Sequence, residues 1–62
     1  MTKERFWQIM LEYDFSVEFI TATWQDSYKP EYINEATLRQ AIALLLRFKN
    51  VEEINATFGK SS

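Results

Sequence analysis

Val17-Glu18-Phe19-Ile20-Thr21-Ala22-Thr23-Trp24-Gln25-Asp26-Ser27-Tyr28 is the stretch that decides the fold. Read with a period of two, Phe15, Val17, Phe19, Thr21 and Thr23 line one face, and the β-branched content suits a strand. Read at about 100° per residue, Val17, Ile20, Thr21, Trp24 and Tyr28 line one face of a helix, at spacings i, i+3, i+4, i+7 and i+11. We take the helical reading. The segment matches the longer period over its whole length, and a lone strand in so short a chain finds no partner. The chain then reads as all-α: a compact bundle of about three to four short helices, near 3–13, 17–28, 35–49 and 51–58, in one small domain 1–62 with 60–62 as a frayed tail.

Downstream, residues 27–33 read as a loop, in which Pro30 pushes Lys29 towards an extended conformation. The strongest helix follows at 35–49. Asn34 suits its N-cap, Glu35 its positive end, and Arg47 and Lys49 its negative end. Ile33 and Leu38 are placed for a hydrophobic staple. Its apolar residues (Leu38, Ala41, Ile42, Leu44, Leu45, Leu46 and Phe48) cover about 200° of the wheel, well past a one-sided stripe. This helix is therefore expected at the centre of the bundle, packed on two sides. Asn50 then caps a helix at 51–58, with Glu53 completing a capping-box variant. Val51, Ile54 and Phe58 form its stripe, and Gly59 suits the residue after its end.

Upstream, Asp14-Phe15-Ser16 is a break whose polar residues are both candidate caps. Residues 3–13 form a helix capped by Thr2, with Phe6, Ile9, Met10 and Tyr13 on one face. Trp7 and Leu11 make a second apolar pair that a monomer's surface helix does not need.

The composition narrows the function. The chain has 62 residues, no Cys and no His, so disulfides and the usual zinc or iron–sulfur ligands are missing. A domain this small needs a rich core or a partner to be stable. It has the apolar content for either, at 47% hydrophobic and 16% aromatic. The longest apolar run, Ala41 to Leu46, is far short of the roughly 20 residues that cross a membrane. With no apolar segment behind Lys3, Glu4 and Arg5 to make a signal peptide, the chain is expected in the cytoplasm. Its net charge of -2 is uneven: between Glu12 and Glu31, one Lys faces five carboxylates. That stretch repels a phosphate backbone.

Chemistry finds little support. Asp14 and Glu18 share a face if both are helical, an arrangement open to acid/base work or Mg²⁺, but a solvated helix start explains them better. Ser16, Ser27 and the five Thr have no His to activate them. No glycine-rich loop cradles a phosphate. No catalytic residue, cofactor or metal is therefore assigned. The last residues, from Val51 through Gly59 to Ser62, read like the first helix and turn of a helix-turn-helix. No reading helix follows in the sequence, so a capped helix packed on its neighbour is preferred.

The aromatic surplus points elsewhere. Phe6, Trp24 and Phe48 suit a core, while Trp7, Leu11 and Phe19 fall off the main stripes and Tyr28 and Tyr32 flank the proline. Trp and Tyr are enriched at interface hot spots. The expectation is a non-catalytic, protein-binding regulator or inhibitor that also forms a homodimer. Its partner-binding residues are taken as Trp7, Leu11, Phe19, Glu12, Asp14, Glu18, Tyr28 and Tyr32, with the carboxylates steering a basic surface. A basic partner suggests a nucleic-acid-handling protein, antagonised as phage and mobile-element inhibitors do. Two alternatives stand beside this one. The first is a dimeric nucleic-acid-binding protein using Arg39, Arg47, Lys49 and Lys60. The second is an assembly subunit that folds only inside a larger complex.

Overall fold

The computed structural model describes residues 1–27 and 29–59. Tyr28 and the expected tail 60–62 lie outside the described residues. Four helices follow one another: α1 (Lys3–Glu12), α2 (Val17–Asp26), α3 (Glu35–Leu45) and α4 (Val51–Gly59), with a 3-10 turn, Pro30–Tyr32, between α2 and α3. The fold is an all-α small bundle, and the deciding stretch is helical.

Each start is chemically marked. The Thr2 hydroxyl accepts from the Arg5 N–H at 3.1 Å, the Ser16 hydroxyl from the Phe19 N–H at 3.2 Å, and the Asn34 side chain from the Ala36 N–H at 2.7 Å. Asn50 and Glu53 make the reciprocal box: the Glu53 N–H donates to Asn50 Oδ1 at 2.8 Å, and the Asn50 N–H to Glu53 Oε1 at 3.4 Å. Within α2 the Thr23 hydroxyl donates to the Phe19 carbonyl at 2.8 Å, so a β-branched residue is satisfied inside a helix.

The core is Phe6, Ile9 and Met10 from α1, Phe15 from the turn, Ile20 from α2, Leu38 and Ile42 from α3, and Ile54 from α4. Ring contacts join the elements: Phe6 meets Trp24 at 5.0 Å between centroids, and Phe19 meets Phe58 edge-on at 5.0 Å. The α2–α4 and α1–α2 pairings are the closest in the bundle. The Ile33–Leu38 staple is consistent with its placement, since Leu38 is core and Ile33 packs against it.

Four expectations need correction. The helix expected over 35–49 ends at Leu45. Beyond it the Arg47 N–H donates to the Leu44 carbonyl and the Phe48 N–H to that of Leu45, so the chain tightens to i→i−3 bonds and turns towards Asn50. Nor is α3 packed on two sides. It buries Leu38 and Ile42 and leaves Ala41 and Leu44 outside, because three short helices cannot cover 200° of a fourth. Phe48, assigned to the core, is 78% exposed for the same reason. Lys29 is not extended but left-handed, at φ 50°. Pro30 keeps it out of the right-handed helical region, and the left-handed turn lets its carbonyl accept from the Tyr32 N–H at 3.0 Å.

Candidate functional site

The corner between α1 and α2 is the most heavily constructed part of the surface. Asp14 is left-handed at φ 67°, a conformation usually left to Gly or Asn after a helix end. The Phe15 N–H donates back to the Met10 carbonyl and the Asp14 N–H to that of Leu11, which together make a Schellman turn. Phe15 and Met10, the pair that such a turn brings together, are both buried in the core. From across the bundle, Asn55 closes the corner: its Nδ2 donates to the Asp14 carbonyl at 2.9 Å, and its Oδ1 accepts from the Ser16 N–H at 2.8 Å. One side-chain amide thus takes the place of a neighbouring strand on either side of Phe15. Asp14 is consequently outside both helices, so the premise that would align it with Glu18 on one helix face fails.

Buried on its inner side, this corner is apolar and acidic on its outer side. Leu11 is 48% exposed and Val17 55% exposed, with Glu12, Asp14 and Glu18 exposed around them. Val17 was expected to face inward with Ile20. Val17 is the first residue of α2 and stands outside, while Ile20, one turn on, is buried. Trp7, one turn before Leu11, is half-buried against the core. It lines an open groove of about 560 Å³ with Lys3, Glu4 and Gln8, and the Lys3 ammonium sits 5.8 Å from its ring centre.

The remaining candidates divide. Phe19 is half-buried, held between Phe15 at 4.8 Å and Phe58, and belongs more to the core than to the surface. Tyr32 is exposed on the 3-10 turn. Tyr28 lies outside the described residues. Glu12 is an ion-pair partner of Arg39, at 3.3 Å.

That pair belongs to a chain of charges tying α1 to α3. Arg5 grips Glu35 through Nε and Nη2 at 3.1–3.3 Å, and Arg39 reaches Glu35, Glu12 and the Tyr13 hydroxyl. The hydrogen bond from Arg39, then that from Arg5, lowers the Glu35 carboxyl below its ordinary 4.5. Tyr13, then Glu35, raises the Arg39 guanidinium further. Arg39, proposed for phosphate contact, is thus already committed, and Lys60 lies outside the described residues. Arg47 and Lys49 remain, exposed and in no ion pair among the described residues.

Three further large apolar residues that the sequence reading had placed inside are exposed: Leu44 at 55%, Phe48, and Phe58 at 44% although it meets Phe19. Leu44 lines a shallow groove of about 380 Å³ with Gln40, Ala43 and Arg47. No local signal marks their exposure, because a helical wheel records which residues are apolar and not which faces a neighbour covers.

Among the described residues no three acidic side chains gather to hold a metal ion. The Ser16 hydroxyl caps α2, and those of Ser27, Thr23 and Thr57 donate to helix carbonyls. Among the described residues no helix is long and apolar enough to cross a membrane. No family model matches the chain, nor does any curated protein or solved structure.

Proposed function

We propose that this chain is a non-catalytic protein-binding module, a cytoplasmic regulator or inhibitor that also self-associates. The observation that carries the reading is the α1–α2 corner: Leu11 and Val17 project from a rigidly held turn, ringed by Glu12, Asp14 and Glu18. A preorganised apolar centre with a charged rim is the anatomy of an interface. The apolar pair supplies affinity, and the carboxylates favour a basic partner and speed its encounter. Trp7 extends the surface along α1, and Phe19 supports it from beneath. A basic partner surface suits a protein that handles nucleic acid, whose phosphate-binding groove the carboxylates would occupy.

The test is capture from lysate with tagged wild-type chain and with Leu11→Asp, each with and without nuclease. Leu11 is exposed on a helix, so the substitution leaves the core alone. The expected result is a specific basic protein that survives nuclease and is lost with Leu11→Asp. Capture that Leu11→Asp leaves intact would overturn the assignment of the corner. Recovery of nucleic acid in place of protein, weakening steeply with salt, would replace the reading with phosphate binding through Arg47 and Lys49.

A further inference from the structure

The molecule carries a second exposed apolar pair whose charged surroundings have the opposite sign. Where α3 turns towards α4, Leu44 and Phe48 lie one helical turn apart in sequence and project into solvent, with Arg47 and Lys49 beside them. No acidic side chain occurs from Ala36 to Asn50, and neither of these two cations is ion-paired among the described residues. The shallow groove formed by Gln40, Ala43, Leu44 and Arg47 opens on the same side of α3 as Leu44.

We infer that this basic tip, Leu44, Arg47, Phe48 and Lys49, docks on the acidic α1–α2 corner of a second copy of this chain. The inference rests on reading that corner as a contact surface, and it names one occupant for it. Charge complementarity favours a second copy over an unrelated acidic partner. Beside each exposed apolar pair the charges in no ion pair among the described residues differ in sign: Asp14 and Glu18 at the corner, where Glu12 is held by Arg39, and Arg47 and Lys49 at the tip. Opposed charges across an interface set register and suppress wrong partners, while the apolar pairs supply the buried area. In a two-fold pair the contact forms twice, since the residues that one copy offers meet those that the other offers in return. The groove beside Leu44 would receive Leu11 or Val17. Phe48, 78% exposed in the monomer, would then be covered.

Sedimentation of the full chain tests this, using two reciprocal variants. Arg47→Glu with Lys49→Glu reverses the tip. With Glu12 held by Arg39, Asp14→Asn with Glu18→Lys takes the corner's unpaired charge from two negative to one positive, and Asn is chosen at position 14 because it tolerates the left-handed backbone. The wild type is expected to be a dimer that loosens with salt. Each variant alone is expected to associate at least about tenfold more weakly, and an equimolar mixture to recover wild-type association, since every contact in the mixed pair is again between opposite charges. Leu44→Ser with Phe48→Ser, which leaves all charges in place, is expected to dissociate the pair as well. Circular dichroism on each variant verifies that its helices persist. A wild type that stays monomeric at about 1 mM would overturn the inference, being weaker than any working interface. So would variants that associate normally, or a mixture that fails to recover. Failure here with partner capture intact removes only self-docking, whereas intact association without any captured partner removes the regulator reading and keeps the self-docking.

Discussion

Two corners of this bundle do the same topological task in opposite ways. Between α1 and α2 the chain reverses through Tyr13 to Ser16 and buries its aromatic residue: Phe15 is 2% exposed. Between α3 and α4 it reverses through Leu46 to Asn50 and leaves its aromatic residue, Phe48, outside. Local hydrogen bonding is present at both. The first has a Schellman turn and a Ser cap, and the second has i→i−3 bonds and an Asn–Glu box. The difference is tertiary. Asn55 reaches the first corner from α4 and satisfies two backbone groups flanking Phe15. Among the described residues no hydrogen bond from α1 or α2 reaches residues 46–50. Local chemistry therefore makes a turn in either case, and one distant side chain decides which turn becomes core.

Truncating the two aromatics gives the largest expected contrast. Phe15→Ala should cost about 3–5 kcal/mol, a large part of the stability of so small a domain. Phe48→Ala, at a surface position without a specific packing role, should stay within about 0.5 kcal/mol. Urea unfolding of each variant, followed by Trp fluorescence, reads both. Comparable losses at the two positions would mean that Phe48 is packed in the monomer and that the contrast between the corners is false.

The Asn55 amide comes next. Asn55→Ala removes both bonds and leaves the Asp14 carbonyl and the Ser16 N–H to water, at an expected cost of about 1–3 kcal/mol. Asn50→Ala breaks only the local box at the other corner and should cost about 1 kcal/mol. Hydrogen exchange separates the two more sharply than stability does. Asn55→Ala should raise exchange at the Ser16 amide and along the start of α2, while Asn50→Ala should confine its effect to the first turn of α4. If Asn55→Ala left the Ser16 amide protected, the corner would be held by its own turn and not by α4.

The sequence made the helix starts readable because each start is a local event. Thr2, Asn34 and the Asn50–Glu53 pair act within three residues of themselves, and Ser16 was one of two candidates for α2. The all-α class was readable too, from the period of the 17–28 stretch, and one of the two threonines that suggested a strand, Thr23, bonds back to a helix carbonyl. The candidate surface was readable in part. Leu11, Glu12, Asp14 and Glu18 were singled out and lie together at one corner, but Val17 was assigned inward and Phe19 outward, the reverse of their places. Where α3 stops was not readable: Leu46 to Lys49 include no Gly or Pro, and the wheel records which residues are apolar without recording which faces a neighbour covers. Phe15 was read only as part of a break, because Asp14 is neither of the residues that usually mark a Schellman turn and the Asn55 bonds come from about forty residues later.

The smallest effect tests the backbone of the first corner alone. Asp14 holds a left-handed conformation that costs an L-residue roughly 1–2 kcal/mol, less for Asp than for most because its short polar side chain bonds locally. Glycine has no Cβ to clash there, although it loses more freedom on folding. The balance favours Asp14→Gly by about 0.5 kcal/mol, and Asp14→Ala should lose about 1 kcal/mol by keeping the Cβ without the carboxylate. Both leave the Asn55 bond to the residue-14 carbonyl in place, because that bond is to backbone. Thermal unfolding of the two variants beside the wild type checks the order Gly, Asp, Ala. A wild type more stable than both variants would mean that the carboxylate stabilises the turn more than the Cβ strains it. The acidic rim of this corner would then serve the fold, and Glu18 would be left as its carboxylate available to a partner, since Glu12 is paired with Arg39.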